Sequence, residues 1–309
     1  MSNILIIQTR PGIGDLCIFL SSMHEIAKKN KDDKIFLLTK KRTQAKNILK
    51  DDLYIKNVFF IDREEVGSKH SGIKGFFRLL SELKEFNFKK IYIMHASLRY
   101  FILGKFLRAK KVYSYGLIKG NDNISNKIYN VTKKWLSISE FKTTSEINVV
   151  GKNSENINNI IIGIGSSGLT RRWAKEKIVD LVTRINKKKI YKFFLVAGMN
   201  EKKLADEIIS DLKNSVDIDS LCEENIYNIL LKIKNSKIYV GTDSAFMHLS
   251  AALKVKSFGL YGDTPVNYAE YSDFIIPILP IGYETISHDS NAMEKISVDH
   301  VYSQISDFI

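Results

Sequence analysis

The chain has 309 residues, 44% of them apolar, which is enough for a substantial core and, at usual domain sizes, for two domains. Its two cysteines, Cys17 and Cys222, belong to no CxxC or Cys/His pattern, which argues against a disulfide framework and against a zinc site. No apolar run approaches the roughly 18 residues that a membrane-spanning helix needs, and the first residues carry no signal-peptide pattern. We therefore predict a cytoplasmic protein.

The formal net charge is +13, from 47 lysines and arginines against 34 aspartates and glutamates. Such a surplus favours anionic partners, such as nucleic acid, phosphorylated substrates or the inner leaflet of a membrane. The lysines are dispersed, however, so compositional bias explains the surplus better than function does. The sequence contains no helix-turn-helix, zinc or RNA-recognition signature, and we therefore predict no nucleic-acid partner.

Short apolar runs alternate with helical patterns in the first half of the chain. Strands are predicted at residues 4–7, 35–38, 58–61, 91–94 and 111–115. Helices are predicted at residues 16–29, 42–50, 76–86 and 98–107. This alternation is typical of a parallel α/β sheet, in which ligands bind at the carboxyl ends of the strands. Asp15, His95 and Arg99 follow strand ends, and Gly12 and Gly14 allow the backbone to approach a ligand closely.

Residues 119–158 are rich in Asn, Lys and Ser, and we predict that they form loops that connect two domains. A second α/β series then begins. Its strands are predicted at residues 159–163, 191–196, 216–218, 237–240, 256–261 and 274–279. Its helices are predicted at residues 175–186, 201–212, 223–233, from 245 onward, and 297–309. The doubled series predicts domains at residues 1–150 and 151–296, followed by a last helix at 297–309.

Three polar segments follow strands of the second series and are expected to converge at one edge of its sheet. They are residues 165–173, 241–248 and 261–265. The hydroxyls suited to hold phosphate oxygens in the first segment belong to Ser166, Ser167 and Thr170. Arg171 could neutralise the phosphate, and a cation at a helix start is disfavoured unless an anion is bound there. The alternative is a solvated helix start.

The segment 241–248 places polar groups at the start of a helix, directly after an apolar strand. Asp243 or Ser244 is a natural N-cap, and His248 lies about one turn further on. Helix N-termini favour anions, particularly phosphate, so the crevice is a candidate anion site. An ordinary strand-to-helix turn with a capped helix and a packed histidine is the alternative.

Four stretches of the sequence form an ordered set of motifs. They are Ile-Ile-Gln-Thr-Arg-Pro-Gly-Ile-Gly-Asp at 6–15, Ser-Ser-Gly-Leu-Thr-Arg-Arg-Trp at 166–173, Val-Gly-Thr-Asp-Ser-Ala-Phe-Met-His-Leu-Ser-Ala-Ala-Leu at 240–253, and Leu-Tyr-Gly-Asp-Thr-Pro at 260–265. In this order they resemble glycosyltransferase family 9, the family of the lipopolysaccharide heptosyltransferases. The resemblance spans residues 4 to about 265.

The resemblance implies a GT-B fold, in which two Rossmann-like α/β domains face each other across a cleft. The N-terminal domain would bind the acceptor and the C-terminal domain the nucleotide sugar, with the last helix crossing back to the N-terminal domain. The implied reaction is inverting and metal-independent, with heptose moving from ADP-heptose to a lipopolysaccharide core or related surface glycan. ADP-heptose is a substrate, so no cofactor is expected. An anionic glycolipid acceptor at the inner leaflet would favour peripheral contact with the inner membrane.

In the first domain the resemblance makes Asp15 the general base, which takes the proton of the acceptor hydroxyl. A carboxylate at a helix N-terminus is stabilised in its charged form and is a weak base. We therefore expect late proton transfer, after an oxocarbenium-like centre has largely formed. The residues predicted to bind the acceptor are Arg10, Gly12, Gly14, His95 and Arg99.

In the second domain the resemblance places Arg171 where the family usually has a lysine that pairs with the donor pyrophosphate. Asp243 would hold hydroxyls of the donor sugar, whereas Ser244 and the amides from Ala245 onward would face the phosphates. Glu201 would reach the nucleotide ribose. The residues predicted to bind the donor are Ser166, Ser167, Thr170, Arg171, Glu201, Asp243, Ser244, Ala245 and His248.

The sequence departs from the family at Ala245 and Phe246, where a glycine followed by proline or leucine is usual. The added side chains reduce backbone clearance and narrow the sugar pocket. Two alternatives therefore stay open: a GT-B enzyme that uses a UDP- or GDP-sugar, and a catalytically inactive protein that binds sugar nucleotides or glycans.

Overall fold

The computed structural model describes residues 1–63, 65, 67–116, 123–151, 158–166 and 168–309. The chain divides into two compact units, Met1–Asn148 and Val149–Ile309, which we call unit 1 and unit 2. Each unit is built on its own parallel β sheet. The boundary thus falls between residues 148 and 149, and unit 2 includes the last helix.

Unit 1 contains a parallel sheet of five described strands. The strands are β1 Asn3–Ile7, β2 Lys34–Lys40, β3 Ile55–Ile61, β4 Phe88–Ile93 and β5 Lys111–Ser114. The helices are α1 Ile13–Lys29, α2 Ala45–Ile48, α3 Gly72–Lys84, α4 Leu98–Phe106 and α5 Ile124–Leu136. The strand order is β3-β2-β1-β4-β5, so the winding reverses between β1 and β4. The apolar side chains of β1 are fully buried, as expected for a central strand that is covered on both faces.

Unit 2 repeats this plan with six described strands. The strands are β6 Asn159–Gly163, β7 Lys192–Val196, β8 Asp217–Ser220, β9 Ile238–Thr242, β10 Lys256–Leu260 and β11 Ile275–Ile278. The helices are α6 Lys175–Lys188, α7 Lys202–Leu212, α8 Ile226–Lys234, α9 Ala245–Ala252 and α10 Val298–Ile305. The order is β11-β10-β9-β6-β7-β8, all parallel, with the reversal between β6 and β9. Ligands of such sheets bind where the strand order reverses.

The prediction of loops over residues 119–158 was wrong for Ile124–Leu136, which form helix α5. The helix packs against α1 through Ile128, Thr132 and Leu136, which are spaced one turn apart and are buried. One of these three is a threonine in an Asn- and Lys-rich stretch, so the apolar stripe is sparse in the sequence. Residues 119–122 and 152–157 of the predicted loops lie outside the described part of the chain.

The last helix, for which the sequence suggested a crossing to the first domain, is grouped with unit 2. There α10 packs against α6, and its Val301 and Ile305 are fully buried in the core of that unit. Trp173 anchors the same region, since its indole N–H donates to the carbonyl of Ile296 at 3.0 Å. Among the helices of the described residues, none has the length and apolar character needed to cross a bilayer.

Candidate active site

Asp15 lies in the first turn of α1, and both of its carboxylate oxygens are anchored. Oδ1 accepts from Nε of Arg10 at 2.6 Å, and Oδ2 accepts from the backbone N–H of Gly12 at 3.1 Å. A Cβ atom at position 12 would lie 3.0 Å from Oδ2, so glycine permits this close approach. The side chain of Asp15 is 18% exposed and therefore remains accessible to a small polar group. Gly14 lies in the same turn and is partly exposed.

His95 follows β4 and lies beside the end of the neighbouring strand β1. Its Nε2 is 3.1 Å from the hydroxyl of Thr9. Burial, followed by the positive charge of Arg10, lowers the pKa of His95 from 6.5 to about 4, so the ring is neutral at pH 7. Its Nδ1 is buried and has no hydrogen-bond partner among the described residues. These groups lie where the winding of the sheet reverses, which is the expected ligand position.

Arg99 was predicted to bind the acceptor, but its guanidinium is engaged within the protein. It donates to the carbonyl oxygens of His70 at 2.8 Å and Gly72 at 3.1 Å. It also lies 5.3 Å from the ring centroid of Phe76. Arg99 therefore ties the start of α4 to the start of α3.

In unit 2, Asp263 connects the first and third predicted segments. Its carboxylate accepts from the hydroxyl of Thr170 at 2.7 Å and from the backbone N–H of Asn291 at 2.9 Å. Arg171 lies close by, with Nε 3.9 Å from Asp263 Oδ2 and Nη2 3.4 Å from Nδ1 of His288. Burial acts to raise the pKa of Asp263, but these hydrogen bonds and the charge of Arg171 outweigh it and lower the pKa. A charged carboxylate thus holds the basic loop in place.

The other hydroxyls of this region also bind backbone groups. Ser166 donates to the carbonyl of Gly168 at 2.6 Å, and Thr242 donates to the carbonyl of Gly165. The bond from Thr242 to Gly165 and the bond from Thr170 to Asp263 join the three segments that the sequence predicted to converge, and they confirm that prediction. Ser167 lies outside the described residues.

Asp243 follows β9 and is supported by a buried histidine. Nε2 of His248 lies 3.4 Å from Oδ1 of Asp243, and Nδ1 lies 3.0 Å from the hydroxyl of Tyr271. A carboxylate only accepts hydrogen bonds, so the tautomer that suits both contacts has its proton on Nε2 and accepts from Tyr271 at Nδ1. Burial, together with the charge of Asp243, raises the pKa of Tyr261 well above its ordinary value. His248 therefore lies between Asp243 and Tyr271, with one ring nitrogen facing each.

At the start of α9, no side chain among the described residues caps the first backbone N–H groups of the helix. Ser244 occupies the N-cap position, but its hydroxyl lies 3.2 Å from the hydroxyl of buried Tyr239. Ala245 and Phe246 follow in the first turn and are partly exposed. The helix dipole and these N–H groups favour an anion at this position.

Glu201 stands just before α7, at the carboxyl-end side of β7, and is largely buried. Its Oε1 accepts from Nη2 of Arg172 at 2.9 Å. The sequence named Glu201 as a candidate but gave Arg172 no partner. The sequence did contain a signal for Arg172. It is a second arginine beside Arg171 at a helix start, where the helix dipole disfavours cations.

Several other site residues were not singled out by the sequence, namely Tyr239, Tyr271, His288 and Asn291. Tyr271 and His288 follow the last strands in loops without a motif, so no spacing rule pointed to them. Over the described residues, no group of three or more His, Cys, Asp and Glu side chains is arranged to hold a metal ion.

A family model described as glycosyltransferase family 9 (heptosyltransferase) matches residues 122–283, which is more than half of the chain. The chain belongs to glycosyltransferase family 9. The predicted family is thereby confirmed, and the protein is a glycosyltransferase enzyme. The matched range contains every unit 2 residue of the candidate site described above except His288 and Asn291.

Solved structures of the same family have the same fold as this family 9 glycosyltransferase. The glycosyl transferase family 9 protein of Veillonella parvula superposes with a TM-score of 0.80 at 14% identity, over 99% of this chain and 97% of that one. E. coli heptosyltransferase WaaC with ADP superposes with a TM-score of 0.76 at 13% identity, over 99% of this chain and 100% of that one. E. coli ADP-heptose lps heptosyltransferase II superposes with a TM-score of 0.75 at 16% identity, over 100% of this chain and 98% of that one.

These similarities confirm the predicted GT-B fold class with two Rossmann-like domains. A comparison with curated protein sequences finds no match to this family 9 glycosyltransferase.

Proposed function

We propose that this glycosyltransferase moves heptose from ADP-heptose to an anionic surface glycolipid of the lipopolysaccharide core type. The observation that carries the proposal is the arrangement at the end of β9. There the carboxylate of Asp243, the N-terminus of α9 and the nearby Arg171 loop lie at the reversal point of a Rossmann-like sheet. This edge combines a carboxylate that can accept hydrogen bonds from sugar hydroxyls with groups that favour a diphosphate.

The donor nucleotide is proposed from the relatives. The similar E. coli enzyme WaaC has been solved with ADP and with ADP-2-deoxy-2-fluoro heptose. In this chain Arg171 and the first N–H groups of α9 would bind the diphosphate, and Glu201 would accept from the ribose. Glu201 is already held by Arg172 at 2.9 Å, which fixes the carboxylate for this role.

In the proposed reaction an acceptor hydroxyl attacks the anomeric carbon on the face opposite the leaving diphosphate, which inverts the configuration. The bond from the anomeric carbon to the phosphate oxygen breaks, and ADP leaves with that electron pair. The acceptor proton passes to the carboxylate of Asp15, which Arg10 and Gly12 hold in place. The charge on ADP is stabilised by Arg171 and α9, so the proposed mechanism uses no metal ion.

The acceptor would bind in unit 1 beside Asp15 and His95. The ring of His95 is neutral, and its buried Nδ1 has no hydrogen-bond partner among the described residues. A sugar hydroxyl of the bound acceptor would donate to this nitrogen. Arg10, Gly12 and Gly14 would complete this contact. The net charge of +13 would attract an anionic acceptor, and a lipid-linked acceptor would bring the protein into peripheral contact with the inner membrane.

The direct test is mass-spectrometric detection of sugar transfer from ADP-heptose, compared with UDP- and GDP-sugars, to a heptose-free core acceptor. Thermal stabilisation by ADP, UDP and GDP gives a second measurement, because a ligand that binds the folded state raises stability. We expect transfer from ADP-heptose and stabilisation by ADP. Transfer from UDP- or GDP-sugars alone would mean that one of these, and not ADP-heptose, is the donor. Nucleotide binding without transfer would indicate an inactive binding protein.

A further inference from the structure

Helices α3 and α4 expose an apolar surface that the folded unit 1 does not cover. We call it the α3–α4 face and define it by Ile73, Phe77, Leu98, Ile102 and Phe106. Their exposed fractions are 79%, 53%, 55%, 38% and 53%. The residues recur every four positions on each helix and therefore form one stripe per helix. An exposed apolar patch of this kind marks an interaction site.

The two stripes form one continuous surface. The ring of Phe106 packs edge-on against Phe77, with centroids 6.5 Å apart, and against Phe76 at 6.0 Å. Between the helices lies a shallow hollow of about 440 Å³, lined by apolar side chains and Arg99. Because Arg99 also binds carbonyls at the start of α3, the helices are held together and the face is preformed.

Positive charge surrounds the face. Residues 72–80 and 98–108 include five basic residues and no acidic residue. These are Lys74, Arg78, Arg99, Lys105 and Arg108. The next carboxylate along α3, Glu82, is neutralised by Lys69 at 2.7 Å. The partner of this face must therefore be both apolar and anionic.

We propose that the α3–α4 face docks on the surface of an anionic lipid bilayer, with its aromatic and aliphatic side chains inserted among the acyl chains. Apolar residues bordered by Lys and Arg bind in this way, since insertion and attraction to anionic lipid act together. A second copy of the chain fits poorly. A two-fold contact would place five cations of one copy against five of the other.

The position of the face agrees with a lipid-linked acceptor. Leu98 begins α4 three residues after His95, and Ile73 lies in the first turn of α3, so both stripes start at the carboxyl-end edge of the unit 1 sheet. This last step rests on the proposed function. The binding of lipid itself does not depend on it.

The test is co-sedimentation of the full chain with vesicles of phosphatidylglycerol and phosphatidylethanolamine, and with vesicles of phosphatidylcholine alone. The wild type should bind the anionic vesicles, and Phe77→Ser with Phe106→Ser should weaken that binding by about ten-fold or more. The matched control is Ile190→Ser with Ile281→Ser, two exposed residues of unit 2 (74% and 73%). It should bind like the wild type.

A charge-reversed variant tests the attraction to anionic lipid and leaves the aromatic residues unchanged. Lys74→Glu with Arg78→Glu should reduce binding to anionic vesicles, whereas Lys203→Glu with Lys213→Glu, exposed in unit 2, should leave it unchanged. Thermal unfolding of each variant should match the wild type. ADP binding should be retained, so that loss of lipid binding is separable from failure of the proposed transferase function.

Equal vesicle binding by wild type and the Phe77→Ser, Phe106→Ser variant would overturn the proposal. So would a wild type that ignores anionic vesicles at low salt. A dimeric wild type that becomes monomeric in the serine variant would assign the face to a second copy instead.

Discussion

Nε of Arg10 lies 2.6 Å from Oδ1 of Asp15, while the other carboxylate oxygen accepts the N–H of Gly12. The side chain is thus oriented by one charged and one backbone donor. Such anchoring fixes the direction in which the carboxylate faces an incoming hydroxyl, and it lowers the freedom that must be lost when substrate binds. The chemical role proposed for Asp15 depends on this geometry.

Replacing Asp15 with Asn should lower the rate of sugar transfer by roughly 100- to 10,000-fold, the usual contribution of a general base. The amide has nearly the same shape but is not basic. Affinity for ADP should be unchanged, because the proposed diphosphate contacts are in unit 2. Steady-state transfer and isothermal titration with ADP measure the two effects.

Asp33→Asn is the matched control, since Asp33 also accepts a backbone N–H in unit 1, from Ser2 at 2.7 Å. It should transfer sugar at the wild-type rate. Full activity in Asp15→Asn would remove the carboxylate from the role of base.

Replacing Arg171 with Ala should raise the Kd for ADP by roughly ten- to hundred-fold, because a charge-assisted hydrogen bond contributes about 1.5–3 kcal/mol. The Kd for ADP of Arg171→Lys should lie between those of the wild type and Arg171→Ala, because lysine keeps the charge but loses the forked geometry. Arg184→Ala is the control, because Arg184 likewise binds a carboxylate of unit 2, that of Asp180 at 2.8 Å. Equal Kd values in Arg171→Ala and Arg184→Ala would contradict the assignment.

Much of the fold was predictable, because strands buried on both faces appear in the sequence as uninterrupted apolar runs. β1 and β6 are examples, with Ile or Leu at four of five positions in β1 and Ile at three of five in β6. Helix α5 was missed because helical amphipathicity is weak when the buried stripe includes Thr132 and the exposed side is Asn-rich. A buried threonine looks like a surface residue until its packing partner is known.

The candidate site was predictable to the level of segments but not of contacts. Segments that follow parallel strands must meet at one edge, so their convergence follows from the strand pattern. The bond from Thr170 to Asp263 joins residues 93 positions apart, and that between His248 and Tyr271 joins residues 23 apart. Such pairs depend on how loops pack, which local spacing does not encode.

His248 should act through Asp243. His248→Leu removes the N–H that faces Asp243, and we expect a higher KM for the nucleotide sugar with little change in affinity for ADP alone. His248→Gln, which retains an N–H donor, should recover part of the loss. Tyr271→Phe should have a smaller effect, because it only removes the hydroxyl that faces Nδ1.

The comparison between nucleotide sugar and free nucleotide separates this role from general destabilisation. A misfolded site would weaken both ligands equally. An equal loss of affinity for ADP and for the sugar nucleotide in His248→Leu would therefore contradict the positioning role.

His95 should make stability depend on pH. Burial lowers its pKa from 6.5 to about 4, so between these values the unfolded chain binds a proton that the folded chain does not. Stability therefore falls as pH falls through this window. Between about pH 7.5 and pH 5 the loss from this group should be about 2 kcal/mol.

Urea unfolding of wild type and His95→Gln at both pH values measures this contribution. The glutamine does not titrate, so the variant should lose about 2 kcal/mol less than the wild type on acidification. Identical pH dependence of the two proteins would show that His95 is not the titrating group.

Gly163, at the end of β6, packs directly against a tyrosine of the neighbouring strand β9. A Cβ atom at position 163 would lie 1.8 Å from the hydroxyl oxygen of Tyr239 and 2.4 Å from its Cζ. The ring is fully buried, and its hydroxyl donates to the carbonyl of Thr242 at 2.9 Å. The tyrosine can move away only by breaking this bond and disturbing the loop that leads to Asp243.

Gly163→Ala should therefore lower the free energy of unfolding by about 1–3 kcal/mol, the usual cost of overpacking a core, and should also weaken binding of the nucleotide sugar. Gly168→Ala is the matched control, because no described atom lies within 4 Å of the Cβ it would add. Its stability should stay within about 0.5 kcal/mol of the wild type. Urea denaturation compares the two variants. Equal stabilities would mean that β6 and β9 are not packed as closely as the structure has them.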